Sequence, residues 1–169
     1  TKDVWTHLVD IRKSFEPRAE ELAKKYALAP YTMFIGSGAL WGETILFSMC
    51  ILEEMQWKRT RYITSADFFH GTLELVEPGV PVFLFMGEDE NRKLDERVRA
   101  FLTRGVTGDT DVNVIDTAEF AIPGLDDEFR VIVSPWILSS LITDRLAAYY
   151  ETVTKHNLNY RRYYHQFDY

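Results

Sequence analysis

Apolar positions along this chain follow two rhythms. Residues 3 to 26 carry Trp5, Leu8, Ile11, Phe15, Ala19, Leu22 and Tyr26 at spacings of three and four, with Asp10, Lys13, Glu20 and Lys24 opposite. That spacing predicts an amphipathic helix, kinked or divided at Pro17. Short continuous apolar runs come next: Thr32 to Ile35, Arg61 to Thr64, Val80 to Met86, Asp111 to Ile115 and Phe129 to Val133 read as five strands. Helical patterns separate them, at Ala39 to Met55 and Asn91 to Thr103, and a final helix is expected from Trp136 to about Thr154 with Pro135 in its first turn. Strands alternating with helices predict an α/β fold, a three-layer αβα sandwich around a five-stranded parallel sheet.

The helix from Ala39 to Met55 differs from the others. Leu40, Trp41, Ile45, Leu46, Phe47, Met49, Cys50, Ile51 and Leu52 make it apolar on nearly every side, so neighbours are expected on more than one face. It ends in Glu53-Glu54-Met55-Gln56-Trp57. A carboxylate at the end of such an element is partly desolvated and meets the negative end of the macrodipole; both effects raise a carboxyl pKa toward the range of a general base. Glu54 is therefore the first candidate, and the sequence leaves open whether Glu53 takes its place.

Composition narrows the setting. A length of 169 residues suits one domain with a sizeable core, and 46% hydrophobic with 27% charged residues is ordinary globular composition. The formal charge of −7 argues against nucleic acid or an anionic membrane as partner. No run reads as a membrane span. Cys50 is the single cysteine, which favours a reducing, cytoplasmic compartment and a small core hydrophobe rather than a nucleophile. The chain starts on Thr1 without Met and enters a helical pattern at once, as expected of a piece of a longer protein.

Further candidates carry alternative readings. Gly36-Ser37-Gly38 follows a strand and opens a helix, so its amides suit either an anion or a plain tight turn. Trp41 stands where the dinucleotide fingerprint needs its third glycine, so nicotinamide and flavin cofactors are not expected. His7, His70, His156 and His165 lack metal-ligand spacing, and no metal is expected. Glu43 lies early in the central helix, where it either favours the dipole or points into a cleft. His70 follows a strand's C-terminal end, where open parallel sheets bind ligands.

Phe34-Ile35-Gly36-Ser37-Gly38, the helix ending Leu52-Glu53-Glu54-Met55-Gln56-Trp57, and Asp67-Phe68-Phe69-His70-Gly71 after the next strand together resemble the C-terminal sugar isomerase (SIS) domain. Within that family the chain resembles the fructosamine 6-phosphate deglycases over nearly its whole length, through the Arg161-Arg162-Tyr163 tail. The resemblance implies a general base at Glu54 and a general acid at His70, meeting across a homodimer interface. It implies a sugar phosphate substrate held by residues including Gly36, Ser37, Gly38, Glu43, Arg161 and Tyr164, and no cofactor. The chain would be one SIS domain spanning 1–169, joined to an N-terminal SIS half in the same polypeptide.

The related glucosamine 6-phosphate synthases carry a tail lysine that forms an imine with the sugar. Here Tyr163, Tyr164 and His165 occupy that region. A substrate that already bears an amine, such as fructoselysine 6-phosphate, does not need the lysine. Thr64-Ser65-Ala66-Asp67 is a poor version of the family's Ser/Thr-rich phosphate loop, so the piece alone is expected to be weakly active or inactive. An aldose–ketose isomerase, a synthase-like isomerase domain and a regulatory sugar phosphate-binding module remain as alternatives.

Overall fold

The computed structural model describes residues 3–105 and 110–168. Helix α1 runs Val4–Tyr26, capped by Asp3, whose carboxylate accepts from the Thr6 amide at 2.8 Å. Pro17 lies inside α1 without dividing it. Four strands appear among the described residues: β1 (Tyr31–Gly36), β2 (Arg59–Ile63), β3 (Val82–Met86) and β4 (Val112–Asp116). They pair in parallel in the order β2-β1-β3-β4. The crossover from β2 past β1 to β3 leaves β2 as an edge strand.

Alternation along the strands sorts the core into two halves. Phe34, Phe83 and Phe85 face α1 and the later helices, with Phe34 stacked on Phe83 at 5.2 Å. Met33, Ile35, Val82, Leu84 and Met86 face the other way, onto Val98 and Leu102 of helix α3 (Arg92–Leu102) and onto Phe68. Helices therefore cover both faces of a parallel sheet, the α/β class expected.

The expected fifth strand is helix. Residues 129–133 lead into α4 (Arg130–Leu141), and Pro135 sits inside that helix rather than in its first turn. A short apolar run does not distinguish a strand from a buried helix by periodicity. Proline removes the amide that the Val131 carbonyl would use, and Ser134 Oγ donates to that carbonyl at 3.1 Å instead. The chain continues through a π-helical turn, Ile142–Leu146, into α5 (Ala147–Thr154).

The helical run Asp127–Thr154, 28 residues long, is also apolar enough to cross a membrane by length and composition, which the reading of the sequence did not anticipate. One side of it is the core: Val133, Ile137, Leu138, Leu141, Ile142 and Leu146 are buried there.

The central helix is three segments in succession. A tight 3-10 turn, Gly38–Leu40, leads into α2 (Trp41–Ile45) and then a π-helical stretch, Leu46–Met55. At its end the Gln56 amide donates to Ile51 O (3.1 Å) and the Lys58 amide to Leu52 O (2.8 Å), while Trp57 turns left-handed at φ 54°. The helix starts beside the C-terminal ends of the strands and finishes near their N-terminal ends, where Thr60 of β2 donates to Glu53 Oε1 at 2.5 Å. Its expected burial on every side is incomplete, for Met49 is exposed and Ile45, Leu46 and Cys50 are half-buried.

Candidate functional site

At the C-terminal edge of the sheet the glycine turn is already occupied by the protein's own acid. Asp89 Oδ2 accepts the Ala39 amide at 2.6 Å. A Cβ on Gly38 (φ 54°) would lie 2.1 Å from that oxygen, so this residue must be glycine for the carboxylate to reach the backbone. The Ser65 amide donates to Ser37 Oγ at 2.7 Å, and Ser65 Oγ donates to buried Asp95 at 2.6 Å. Burial pushes the Asp95 carboxyl up to about 6, against the Ser65 and Gly87 hydrogen bonds that favour its ionised form.

Two further ion pairs fill the same edge. Arg92 grips Asp116 with both terminal nitrogens (2.9 and 2.6 Å), and Arg130 donates to Glu88 at 2.8 Å. Burial alone would raise the Asp116 carboxyl, but the guanidinium outweighs it and holds it below the usual carboxylate range. Gly36, Ser37 and Gly38 thus sit in the expected turn after β1, with an internal carboxylate on the Ala39 amide that follows them. Gly87-Glu88-Asp89-Glu90, directly after the strongest strand, was the overlooked signal.

Glu54 lies at the opposite end of the sheet. It opens on a cleft of about 520 Å³ that it lines with Glu53, Trp57, Lys58, Arg161, Arg162, Tyr163 and Tyr164. The central helix supplies one wall and the C-terminal tail the other. Gln56, buried, stitches them together: its Nε2 donates to His156 O (2.6 Å) and its Oε1 accepts from Thr154 Oγ1 (2.7 Å). Lys155, left-handed at φ 58°, ends α5 and turns the chain back across Trp57, whose ring meets the edge of His156 at 4.4 Å. Arg161 Nε then reaches Glu54 Oε1 at 2.9 Å, and the Arg162 guanidinium lies over the Trp57 ring at 4.3 Å.

A partly desolvated carboxylate was expected; the Glu54 side chain is 29% exposed and has a guanidinium partner, which the sequence did not predict. Cys50, one turn before it, has its thiol pushed up by burial and by the Glu54 charge, which leaves it unreactive, as a half-buried hydrophobe should be.

His70 ends a 3-10 turn, Phe68–His70, and is exposed. Thr64 and Asp67 cap one another at 2.8 and 3.0 Å, and Phe68 is fully buried, so the turn is anchored and presents His70 outward. The turn follows the C-terminal end of β2, whereas Glu54 lies near its beginning. Within one chain the sheet keeps the two apart.

Glu43 faces α4 rather than the Glu54 cleft. Burial pushes its carboxyl up, with the Ser139 hydroxyl beside it acting the other way, and Oε2 is sealed without a hydrogen-bond partner. Arg161 and Tyr164 line the cleft with Glu54. Gln56, Trp57 and Lys58 were not singled out as site residues, although they follow the candidate base directly in sequence. Among the described residues no group of three or more His, Cys, Asp or Glu is arranged to hold a metal ion.

Compared with protein-family models, the chain matches none. Among curated proteins it is similar to the fructosamine deglycase of Bacillus subtilis, 30% identical over 148 residues, 86% of this chain and 43% of that protein. It is likewise similar to the fructoselysine 6-phosphate deglycase of Escherichia coli, 32% identical over 161 residues, 94% of this chain and 43% of that one. The chain therefore spans less than half the length of these homologues. A candidate phosphosugar isomerase of Bacillus subtilis superposes with a TM-score of 0.89 at 27% identity, covering 97% of this chain and 49% of that one. The C-terminal domain of a glucosamine-fructose-6-phosphate aminotransferase from Francisella tularensis shares the fold, with a TM-score of 0.56 over 85% of this chain and 42% of that one.

Proposed function

We propose, from homology with the fructosamine and fructoselysine 6-phosphate deglycases, that this chain is the SIS half that carries the acid–base pair of such an enzyme, with fructoselysine 6-phosphate as its leading substrate. The observation that carries the reading is the cleft: Glu54 opens on about 520 Å³ of space walled by aromatic rings and cations, in the volume range of small-molecule sites.

The chemistry needs little from the protein. In the open 2-ketone form of the substrate, the proton on the amine-bearing carbon is acidified by the adjacent carbonyl. Glu54 removes that proton while His70 protonates the carbonyl oxygen, giving an enaminol. Reprotonation at the second carbon yields an imine at the first, and water hydrolyses it to the aldose phosphate and the free amine. Positioning and proton transfer account for each step, and the substrate's own carbonyl is the electron sink.

Because the sheet separates Glu54 from His70, the pair forms between two copies in this reading. The apolar face of the central helix left uncovered at Met49, beside half-buried Ile45 and Leu46, supports such an association. The Asp89 carboxylate in the glycine turn supports a phosphate anchor outside this chain, in an N-terminal SIS half, so the isolated chain is expected to turn over slowly or not at all. The assay is release of lysine and glucose 6-phosphate from fructoselysine 6-phosphate by the longer protein. Release that survives Glu54→Gln at the wild-type rate, with the fold intact, refutes the reading.

A further inference from the structure

The cleft holds one cation with no partner. Arg161 is paired to Glu54 and Arg162 is spread on Trp57, while Lys58 has no hydrogen bond or ion pair from its side chain among the described residues. In a continuing helix Lys58 would sit one turn from Glu54 and pair with it. The left-handed Trp57 breaks that geometry, and no bridge forms within 4 Å. Lys58 is nonetheless half-buried on the cleft wall, and burial lowers its pKa. A half-buried ammonium on a cleft wall, with no carboxylate within 4 Å of it among the described residues, is matched to an anion that arrives from outside.

We propose that Lys58, flanked by Arg162 on Trp57, forms an anion-binding subsite in the Glu54 cleft that takes the carboxylate of the substrate's amino-acid part. This rests on the reading of the cleft as the substrate site and adds to it a residue that sets specificity. The aromatic wall of Trp57, Tyr163 and Tyr164 accommodates the chain between the anion and the reacting carbon. Lys58 serves as a compact point charge, without the bidentate geometry that arginine would impose.

The test is calorimetric titration of the longer protein and its Lys58→Met and Lys58→Arg variants with two probes. Glucose 6-phosphate carries a phosphate and no carboxylate; unphosphorylated fructoselysine carries a carboxylate and no phosphate. Lys58→Met is expected to weaken fructoselysine about tenfold or more and to leave glucose 6-phosphate unchanged, with Lys58→Arg recovering most of the loss. Circular dichroism checks that the variants fold. No binding of fructoselysine by the wild type, binding unchanged in Lys58→Met, or a loss confined to glucose 6-phosphate overturns the subsite. The readout does not use turnover: binding that depends on Lys58 in a longer protein that releases no amine sinks the deglycase reading and leaves the subsite standing.

Discussion

Arg161 Nε lies 2.9 Å from Glu54 Oε1, so the C-terminal tail is tied to the same carboxylate that the cleft offers to a substrate. The tail is more than a cover, because the tie also fixes where the aromatic wall of the cleft stands. Arg161 Nη1 donates to Leu158 O at 2.7 Å, which stiffens the approach.

Removing that tie should loosen the tail without unfolding the domain. The pair is partly exposed, with side chains 18% and 29% accessible, so its contribution is about 1 kcal/mol, about fivefold in the population of the open tail. Arg161→Ala is expected to speed limited proteolysis within 157–168 by about that factor and to leave the melting temperature of the core within a few degrees. Equal cleavage rates in the two proteins would show that the stitching through Gln56 alone holds the tail.

The glycine turn makes a prediction about packing. A Cβ on Gly36 would fall 2.1 Å from Thr44 Oγ1 and 3.5 Å from Phe85 Cβ, and Thr44 is fully buried. Gly36→Ala should cost about 1 to 3 kcal/mol by overpacking. Thr44→Ala removes the hydroxyl at 2.1 Å and leaves only Cβ, 3.3 Å away, so the double variant should be less destabilised than the sum of the singles by about 1 kcal/mol or more in urea unfolding. Simple additivity would mean that the strand, and not the threonine, absorbs the new methyl.

Much of this was legible in the sequence, and the misses have physical reasons. Helix α1 and strands β1, β3 and β4 all follow from spacing, since tertiary packing only reinforces what the pattern prefers. The run at 129–133 reads equally as strand or helix, and what decides it is contact with α1 and the central helix, which spacing does not encode. The carboxylates at the C-terminal sheet edge were overlooked because an acidic tetrapeptide after a strand looks like a solvated loop. Only the fold brings Asp89 onto the Ala39 amide and buries Asp95 beneath Ser65. Glu54 was chosen for a desolvated setting; the setting is a cleft shared with Arg161, which no local pattern shows.

Asp95 should leave a mark on stability against pH. Its carboxyl is raised to about 6 from the ordinary 3.8, so between those values the unfolded chain ionises while the folded one stays protonated. Fewer protons on the unfolded state means that stability falls as pH rises through this window, by up to about 3 kcal/mol from this group. Asp95→Asn removes the titration, although it loses the 3.3 Å bond from the Gly87 amide. The stability of the variant relative to wild type is therefore expected to climb between pH 4 and 7 in denaturant unfolding. A difference that stays flat would mean that Asp95 titrates normally.

The separation of Glu54 from His70 by the length of the sheet yields the most direct test of the site. Glu54→Gln and His70→Ala are each expected to lower amine release from fructoselysine 6-phosphate in the longer protein by about a hundredfold or more, the range for a lost acid or base. If each site takes its glutamate from one copy and its histidine from the other, mixing the two inactive variants restores activity. Random exchange makes half of the dimers mixed, and each mixed dimer has one intact site of two, so recovery should reach about a quarter of the wild-type rate. The mixture must be equilibrated under conditions that let subunits exchange, with exchange verified by a mass tag on one variant. Recovery near a quarter requires the shared site. Mixed dimers that form and stay inactive would mean that Glu54 and His70 do not act together across the interface.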